Sequence, residues 1–197
     1  MVSQMDTHPL GPLDAIPPRS FETPRLRLRA ITRRDAEVVF RAYAGDPVAT
    51  KYMAWKRPES PKDLLQFVGG VDDVFAGQPS QIGDFAFIVE EKQSCEVIGG
   101  CGIGALNDQT VGGGYILHPH YWGQGFAAEA WRPLVDWAKS QPRVMRIQAN
   151  HHPDNPASGA VMRKVGLCFE HIRKQAALYP NLSEELQDDV IYAWTRK

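Results

Sequence analysis

Two glycines, Gly123 and Gly125, stand between a predicted strand and a predicted helix. Glycine readily adopts left-handed backbone conformations, so a turn built on it can aim several consecutive N–H groups at one anion. The N-terminus of the following helix adds partial positive charge at the same place. No Lys-Ser or Lys-Thr pair follows, so this turn predicts a diphosphate site made of backbone donors without magnesium. Taken alone, the same residues would equally fit an ordinary strand-to-helix turn.

A second glycine-rich segment, residues 100–105, matches the G-x-G-x-x-A outline of a dinucleotide-binding fingerprint. That fingerprint needs a helix directly after the glycines, so that its N-terminus faces the pyrophosphate. Here residues 106–110 follow instead, and they are typical of a turn that leads into another strand. The segment therefore indicates a glycine-rich strand and not a nucleotide site.

A further block runs from Asn155 through Ser158 to Lys164 and Gly166. Together with the glycine turn, it resembles the GNAT acetyltransferase superfamily. The turn resembles the family's pyrophosphate loop, (Arg/Gln)-x-x-Gly-x-(Gly/Ala), and the later block resembles its N-x-x-S…K-x-G-F segment. Trp122 stands where the loop has Arg or Gln, but backbone donors carry most of the phosphate binding.

The two ends of the chain narrow this resemblance. Residues 23–29, Thr-Pro-Arg-Leu-Arg-Leu-Arg, and residues 188–194, Asp-Asp-Val-Ile-Tyr-Ala-Trp, resemble the RimJ/RimL branch, which modifies the N-termini of ribosomal proteins. The similarity spans residues 22–197. It implies acetyl-CoA as co-substrate, held by Leu117, His118, Trp122, Gly123, Gln124, Gly125, Ala127, Ala128, Asn155 and Ser158.

The implied reaction is attack of a neutral amine on the acetyl-CoA thioester. It needs a donor for the developing oxyanion and a proton for the departing thiolate. The resemblance implies a backbone N–H near Leu117 or His118 as the oxyanion donor, and Asn155 as a partner of the pantetheine arm. Many relatives carry a tyrosine as proton donor where this chain has Met162, so the resemblance points to Ser158 as the catalytic donor to sulfur. Its alternative is a serine that satisfies a backbone group in the first helical turn.

Some relatives carry a glutamate base on the strand that holds residues 112–115, and this chain has none there. The pKa of an α-amino group lies near 7.7–8.0, whereas that of a lysine amine lies near 10.4. A site without a strong base should therefore favour an α-amine or another weakly basic amine. The predicted acceptor pocket lies between the first two helices and the loop before the last strand, near Tyr52, Trp55 and Tyr179. Ordinary packing is the alternative for these three residues.

Histidines border the same predicted cleft, at His118, His120, His151 and His152. Zinc sites use histidine and carboxylate ligands, but no cysteine is spaced to join these clusters. We therefore predict no metal. A base role for one of these histidines stays open.

Periodicity places the elements that must hold these residues. Strands are expected at residues 26–30, 85–90, 97–106, 111–118, 144–150, 167–173 and 189–195. Helices are expected after capping residues at 32–35 and 60–63, after the glycine turn up to residue 140, and from residue 156 to Gly166. The resemblance implies an α/β (α+β) fold, with a mixed, mostly antiparallel sheet of about six or seven strands and about four flanking helices.

Composition sets further limits. Basic and acidic residues nearly balance, with 22 Lys and Arg against 23 Asp and Glu, which argues against a nucleic-acid partner. The chain has no apolar run long enough for a membrane span and no secretory signal at its start, and its three cysteines form no CxxC pair. A cytoplasmic protein is the expectation. Residues 1–21 are predicted to be a proline-rich arm outside the core, which could dock on a second copy, and residues 22–197 the catalytic domain.

These observations predict an acetyl-CoA-dependent N-acetyltransferase whose acceptor is a protein or peptide N-terminal amine. A small-molecule acetyltransferase acting on an amine, an amino acid or an antibiotic is the alternative within enzymes. A non-catalytic sensor of acyl-CoA is the alternative from another class.

Overall fold

The computed structural model describes residues 12–78 and 84–197, and one twisted sheet runs through both ranges. Its eight strands are β1 (Ser20–Glu22), β2 (Leu26–Ala30), β3 (Asp84–Glu91), β4 (Val97–Ala105), β5 (Thr110–Leu117), β6 (Arg146–His151), β7 (Cys168–Ala177) and β8 (Gln187–Thr195). They lie in the order β1-β2-β3-β4-β5-β6-β8-β7. Among these described strands, only β5 and β6 are parallel.

Five helices flank the sheet in the described residues. They are α1 (Ala36–Val39, continued by a wider turn, Phe40–Ala44), α2 (Pro47–Thr50), α3 (Leu65–Phe75, preceded by a 3₁₀ turn, Pro61–Leu64), α4 (Phe126–Ser140) and α5 (Pro156–Lys164). The prediction of a mixed, mostly antiparallel α/β fold is confirmed. The sheet has one strand more than expected, β1, and α2 is the additional helix.

The start of the described chain corrects one expectation. Leu13 is fully buried in the core, and Pro17 is buried as well. The Arg19 guanidinium donates a hydrogen bond of 2.9 Å to the backbone oxygen of Phe75, at the end of α3. The prediction that the proline-rich segment lies outside the core is therefore wrong at Leu13 and Pro17, because both side chains are buried. Residues 1–11 lie outside the described residues, and the division at residue 22 stays a prediction.

Helix α4 packs its predicted face on the sheet. Its residues at helical spacing, Ala130, Trp131, Leu134, Val135 and Ala138, are fully buried. Burying a large apolar side chain contributes about 1.5–3 kcal/mol, so this face anchors the helix firmly. The Trp131 indole donates 3.2 Å to the backbone oxygen of Gly102 on β4. The rigid seat of α4 in turn fixes the position of its N-terminus.

The sheet opens on one side of β5. The parallel ladder joins Thr110–Gly112 of β5 to residues 146–148 of β6, and no described pairing continues it. On its other side, β5 stays paired with β4 as far as Leu117. The two neighbouring strands therefore separate beyond Gly112 and leave a gap, here called the β5–β6 gap, between residues 113–117 and the end of β6.

Among the described residues, no helix combines the length and the apolar character that a membrane span needs.

Candidate active site

The glycine turn has the predicted form. Gly123 and Gly125 have φ angles of +76° and +82°, in the left-handed region that favours glycine. Gly125 is the N-cap of α4, and no side chain accepts a hydrogen bond there as a cap. The first N–H groups of a helix have no partner within the helix, so those of Phe126, Ala127 and Ala128 point out of its N-terminus. The same turn contacts the end of β5, where the Trp122 indole donates 2.8 Å to the Leu117 oxygen, so this 15-residue helix presents its donor cluster beside the β5–β6 gap.

Arg25, which lies directly before β2, joins this turn. Its guanidinium donates 3.1 Å to the backbone oxygen of Gln124 and lies 4.2 Å above the Phe126 ring. Glu129, in the first turn of α4, accepts from the Arg25 N–H at 2.8 Å and from its Nε at 2.7 Å. Burial would raise the pKa of Glu129, but the hydrogen bonds from Thr23 and Arg25 outweigh burial and lower it. The turn is therefore buttressed by a charged pair.

A pocket of about 530 Å³ lies beside this buttress, and basic side chains line part of it. Arg25, Arg132 and Lys164 are among its walls, together with Gly125. The Arg132 guanidinium also donates to the backbone oxygen of Lys164 and ties α4 to the end of α5. Positive charge next to a backbone donor cluster suits a ligand with several phosphates.

The amides of β5 distinguish between the two oxyanion candidates. The His118 N–H donates 2.9 Å to the backbone oxygen of Ile98, so it serves the sheet, and the prediction for that amide is wrong. Amides alternate along an antiparallel pair, so the N–H groups of Leu117 and Tyr115 face the β5–β6 gap. The Leu117 oxygen accepts 2.8 Å from the Trp122 indole, which fixes that side chain against the strand. Leu117 stays the candidate, and Tyr115 is a further one that the sequence analysis missed.

The first turn of α5 forms the opposite wall of the gap. Asn155 is its N-cap residue, yet its side chain makes no capping hydrogen bond and so can serve a ligand. Ser158 Oγ lies 2.8 Å from the hydroxyl of Tyr115, which also reaches the Ser158 backbone oxygen at 2.8 Å. Met162 is buried in the core. The hydroxyls of Tyr115 and Ser158 therefore lie together between β5 and the first turn of α5.

A large pocket of about 930 Å³ opens on the other face of the sheet. Its floor consists of small residues on adjacent strands, namely Ala86, Gly100, Gly102, Gly104, Gly112 and Gly114. A Cβ at Gly100 would lie 2.5 Å from the Tyr43 hydroxyl, so the glycine lets α1 approach closely. The segment read as a glycine-rich strand is indeed β4, and its glycines make room for a ligand.

The three predicted acceptor-site aromatic residues separate into two groups. Trp55 lines the pocket, as do Gln148 and Asn150 of β6. Tyr52 and Tyr179 instead flank His152, each with its ring centroid 5.1 Å from the imidazole. Tyr179 is only 2% exposed, so the prediction that it contacts substrate is wrong, and it packs behind the pocket instead.

Asn181 holds one wall of this pocket, and nothing in the sequence pattern singled it out. Its side-chain oxygen accepts 2.7 Å from the Arg57 N–H. Its amide nitrogen donates 2.8 Å to the Thr50 oxygen and 2.9 Å to the Trp55 oxygen. One side chain thus clamps the loop that carries Trp55.

Three carboxylates also border the pocket: Glu59, Asp63 and Asp84. Desolvation raises the pKa of Asp84. A Cβ at Gly104 would lie 1.8 Å from Asp84 Oδ1, so only glycine leaves room for this carboxylate. Asp84 lies at the far end of the floor from Leu117 and suits recognition of an ammonium group better than deprotonation at the thioester.

The histidines are engaged with neighbouring backbone. His151 Nδ1 lies 2.7 Å from the His152 oxygen, and His152 Nδ1 accepts 3.1 Å from the Asp154 N–H. Within residues 12–78 and 84–197, no group of three or more His, Cys, Asp or Glu side chains could hold a metal ion.

Comparison with known proteins gives a consistent picture. Residues 25–167 match the acetyltransferase (GNAT) domain family. The chain is 33% identical over 141 residues to the uncharacterized N-acetyltransferase p20 of Bacillus licheniformis, covering 69% of this chain and 75% of that protein. It is 31% identical over 157 residues to the uncharacterized N-acetyltransferase YoaA of Bacillus subtilis, covering 79% and 86%.

Among solved structures, the chain is similar to the ribosomal-protein-S5-alanine acetyltransferase of Vibrio fischeri, with a TM-score of 0.73 at 23% identity over 89% of this chain and 96% of that chain. It is also similar to the ribosomal L7/L12 alpha-N-protein acetyltransferase RimL in complex with coenzyme A, with a TM-score of 0.74 at 20% identity over 88% and 95%. The self-immunity acetyltransferase MccE, in complex with acetyl-CoA and AMP, has a TM-score of 0.75 at 18% identity over 91% and 98%.

Proposed function

This chain belongs to the GNAT acetyltransferase family and is an acyltransferase, and we propose that it transfers an acetyl group from acetyl-CoA to a primary amine by direct attack on the thioester. The observation that carries the proposal is the donor cluster of the glycine turn beside the β5–β6 gap. A diphosphate bound at the turn would direct an attached linear arm into the gap. The gap leads to the large pocket, where an amine can meet the acetyl group.

Each part of coenzyme A has a partner of fitting chemistry in this arrangement. The N–H groups of residues 123–128 would hold the pyrophosphate, with Arg132 and Lys164 adding positive charge, since Glu129 already neutralises Arg25. The pantetheine arm carries amides, which suit the free backbone of β5 and the Asn155 side chain. The Leu117 or Tyr115 N–H would donate to the oxyanion. RimL and MccE, which share this fold, have been crystallised with coenzyme A and acetyl-CoA respectively.

The thermal midpoint with and without acetyl-CoA tests the cofactor, with NAD and ATP as controls. A ligand at 100 times its dissociation constant stabilises the folded state by about 2.7 kcal/mol, which at this chain length raises the midpoint by several degrees. We expect that rise with acetyl-CoA and not with NAD. A midpoint that acetyl-CoA leaves unchanged would contradict the proposal.

For the acceptor, we propose an N-terminal α-amine of a protein or peptide. Among the described residues, none beside the β5–β6 gap supplies a carboxylate that could deprotonate a strongly basic amine. An α-amine needs no such base, because part of it is neutral at neutral pH. Glu59, Asp63 and Asp84 line the pocket together with Lys56 and Arg57, so the pocket carries charges of both signs. Peptides with free N-termini should therefore react faster than the same peptides blocked at the N-terminus but carrying lysine. A faster lysine reaction would contradict this acceptor.

A small-molecule acceptor is the second candidate, because the pocket volume of about 930 Å³ lies within the range of sites for small ligands. The MccE complex, which holds AMP, shows that this fold can place a small molecule beside acetyl-CoA in that protein. Release of coenzyme A with peptides and with free amines separates the two candidates.

Asn181 provides a test of the acceptor side alone. We expect Asn181→Ala to raise the KM for the acceptor about tenfold, because the loss of about 1–1.5 kcal/mol per hydrogen bond frees the loop that carries Trp55. The dissociation constant of acetyl-CoA should change less than twofold. Asn181→Asp keeps the acceptor for the Arg57 N–H but sets a carboxylate oxygen against the Thr50 and Trp55 oxygens, so its effect should be at least as large. If the dissociation constant of acetyl-CoA rises as much as the acceptor KM, Asn181 has no specific role in the acceptor pocket.

A further inference from the structure

We propose that the Tyr115 hydroxyl, paired with Ser158, is the proton donor to the thiolate that leaves acetyl-CoA, an inference that rests on the proposed function. The sequence analysis assigned this proton to Ser158 alone, because Met162 cannot donate one. The structure adds a second hydroxyl at the same point, supplied by a strand instead of a helix.

The position of Tyr115 follows from the sheet. It lies three residues beyond Gly112, the last residue of β5 that pairs with β6. Its ring centroid lies 5.3 Å from that of Trp131 on α4, and its hydroxyl reaches Ser158 in the first turn of α5. The side chain therefore spans the β5–β6 gap from one wall to the other. An arm that enters the gap from the glycine turn must pass this hydroxyl.

The hydrogen bonds show which protons are available. The Tyr115 hydroxyl can donate either to the Ser158 backbone oxygen or to Oγ, both at 2.8 Å. Its proton is therefore divided between two neighbouring acceptors, and a sulfur anion beside them would compete as a third. The Ser158 hydroxyl, which lies 2.8 Å from the Tyr115 hydroxyl, can pass a proton back to Tyr115.

The Tyr115 phenol keeps its proton at neutral pH, although the same upward pKa shift makes it a weaker acid. Burial raises the pKa of Tyr115, and the hydrogen bond from Ser158, which acts in the opposite direction, does not cancel this effect. The phenol is thus protonated throughout the neutral range, and its proton is available in every catalytic cycle. Tyr115 is therefore not proposed as the base that deprotonates the amine. An α-amine can react without such a base, because part of it is neutral at neutral pH.

The proposed step balances in atoms and charge. The lone pair of the neutral amine attacks the acetyl carbon, and a C–N bond forms. The tetrahedral intermediate collapses, the C–S bond breaks, and sulfur keeps the electron pair of that bond. Tyr115 gives its proton to sulfur, and the phenolate then takes the proton that the acylated nitrogen loses, relayed through the Ser158 hydroxyl or water. The products are an amide and the free thiol of coenzyme A.

The test measures single-turnover rates with hydroxylamine as acceptor, a small nucleophile that is uncharged at neutral pH, so that the result does not depend on the natural acceptor. We expect Tyr115→Phe to slow the reaction about 100-fold, as loss of a general acid does, while the dissociation constant of acetyl-CoA changes less than threefold. Ser158→Ala should slow it about tenfold. Tyr192→Phe is the matched control, because the Tyr192 hydroxyl also contacts α5, through Arg163. This variant should catalyse the reaction at the rate of the unmodified protein.

A multiply fluorinated tyrosine at position 115 separates proton donation from packing. Its phenol is more acidic, so the rate should fall at a lower pH than in the unmodified protein, whereas a packing role would leave the pH profile in place. An unchanged rate for Tyr115→Phe, or a loss of acetyl-CoA binding equal to the loss of rate, overturns the inference. If the unmodified protein does not bind acetyl-CoA at all, the proposed function fails first, and the binding measurement alone shows this.

Discussion

Replacing Gly125 by valine should weaken acetyl-CoA binding at least 100-fold, or about 2.8 kcal/mol. At a φ of +82°, a β-branched residue is strained by about 1–3 kcal/mol, and the turn relaxes by moving the backbone that carries its N–H groups. The new side chain also meets Arg25, whose guanidinium nitrogen lies 3.6 Å from the Cβ position. The thermal midpoint with and without acetyl-CoA measures the effect.

Gly77 is the matched control for this substitution. It has a φ of +69° after the end of α3, and its Cβ position meets only the Ile16 Cδ1 atom, at 4.0 Å. Gly77→Val therefore introduces similar strain away from the donor cluster. It should lower the midpoint of the free protein but leave the rise with acetyl-CoA unchanged. If both variants keep the rise, the glycine turn does not hold the cofactor.

Asp189→Ala should cause the largest loss of stability, about 3 kcal/mol, or a midpoint lower by roughly 6–12 °C. The Asp189 carboxylate is fully buried and accepts from the Tyr179 hydroxyl at 3.0 Å and the Asn150 amide at 2.9 Å. It is also paired with Arg173. Removing it leaves the buried hydroxyl and amide without their acceptor and a guanidinium without its counter-charge.

Asp188 is the control for this substitution, because it is the adjacent residue and its carboxylate also pairs with a basic side chain. Asp188 pairs with Lys174 at 2.7 Å, but the Lys174 side chain is 77% exposed. Exposed ion pairs contribute little to stability, so Asp188→Ala should lower the midpoint by only a few degrees. Chemical denaturation of the two variants measures the difference. Equal losses would show that Asp189 is not the centre of a buried network.

The regular elements could be predicted from the sequence because their signals are local. The alternation in residues 26–30 and the helical spacing from Ala130 to Ala138 both depend only on neighbours along the chain. β1 escaped prediction because three residues between prolines carry too little pattern. Its pairing depends on β2 and on Leu13, whose burial no local rule reveals.

The candidate site divides in the same way. The glycine turn and the Asn155–Ser158 block have sequence signatures, so the cofactor side could be anticipated. Tyr115 could not, because its meeting with Ser158 depends on where a strand, a gap and a helix lie relative to one another. Tyr179 was misjudged because a tyrosine before the last strand can face a pocket or pack behind it, and only its bond to Asp189 decides.

The short parallel ladder between β5 and β6 has a consequence for how the chain folds. Strands β1 to β5 pair antiparallel in chain order, and β6 and β7 both pair antiparallel with β8, so each set can form by antiparallel pairing on its own side. The two sets are joined within the sheet by three residue pairs, across a connection that contains all of α4. Such a non-local contact forms late, because closing a long loop costs entropy before the contact stabilises it. The cleft thus lies at the boundary between two cooperative units, and the last step of folding also completes the binding site.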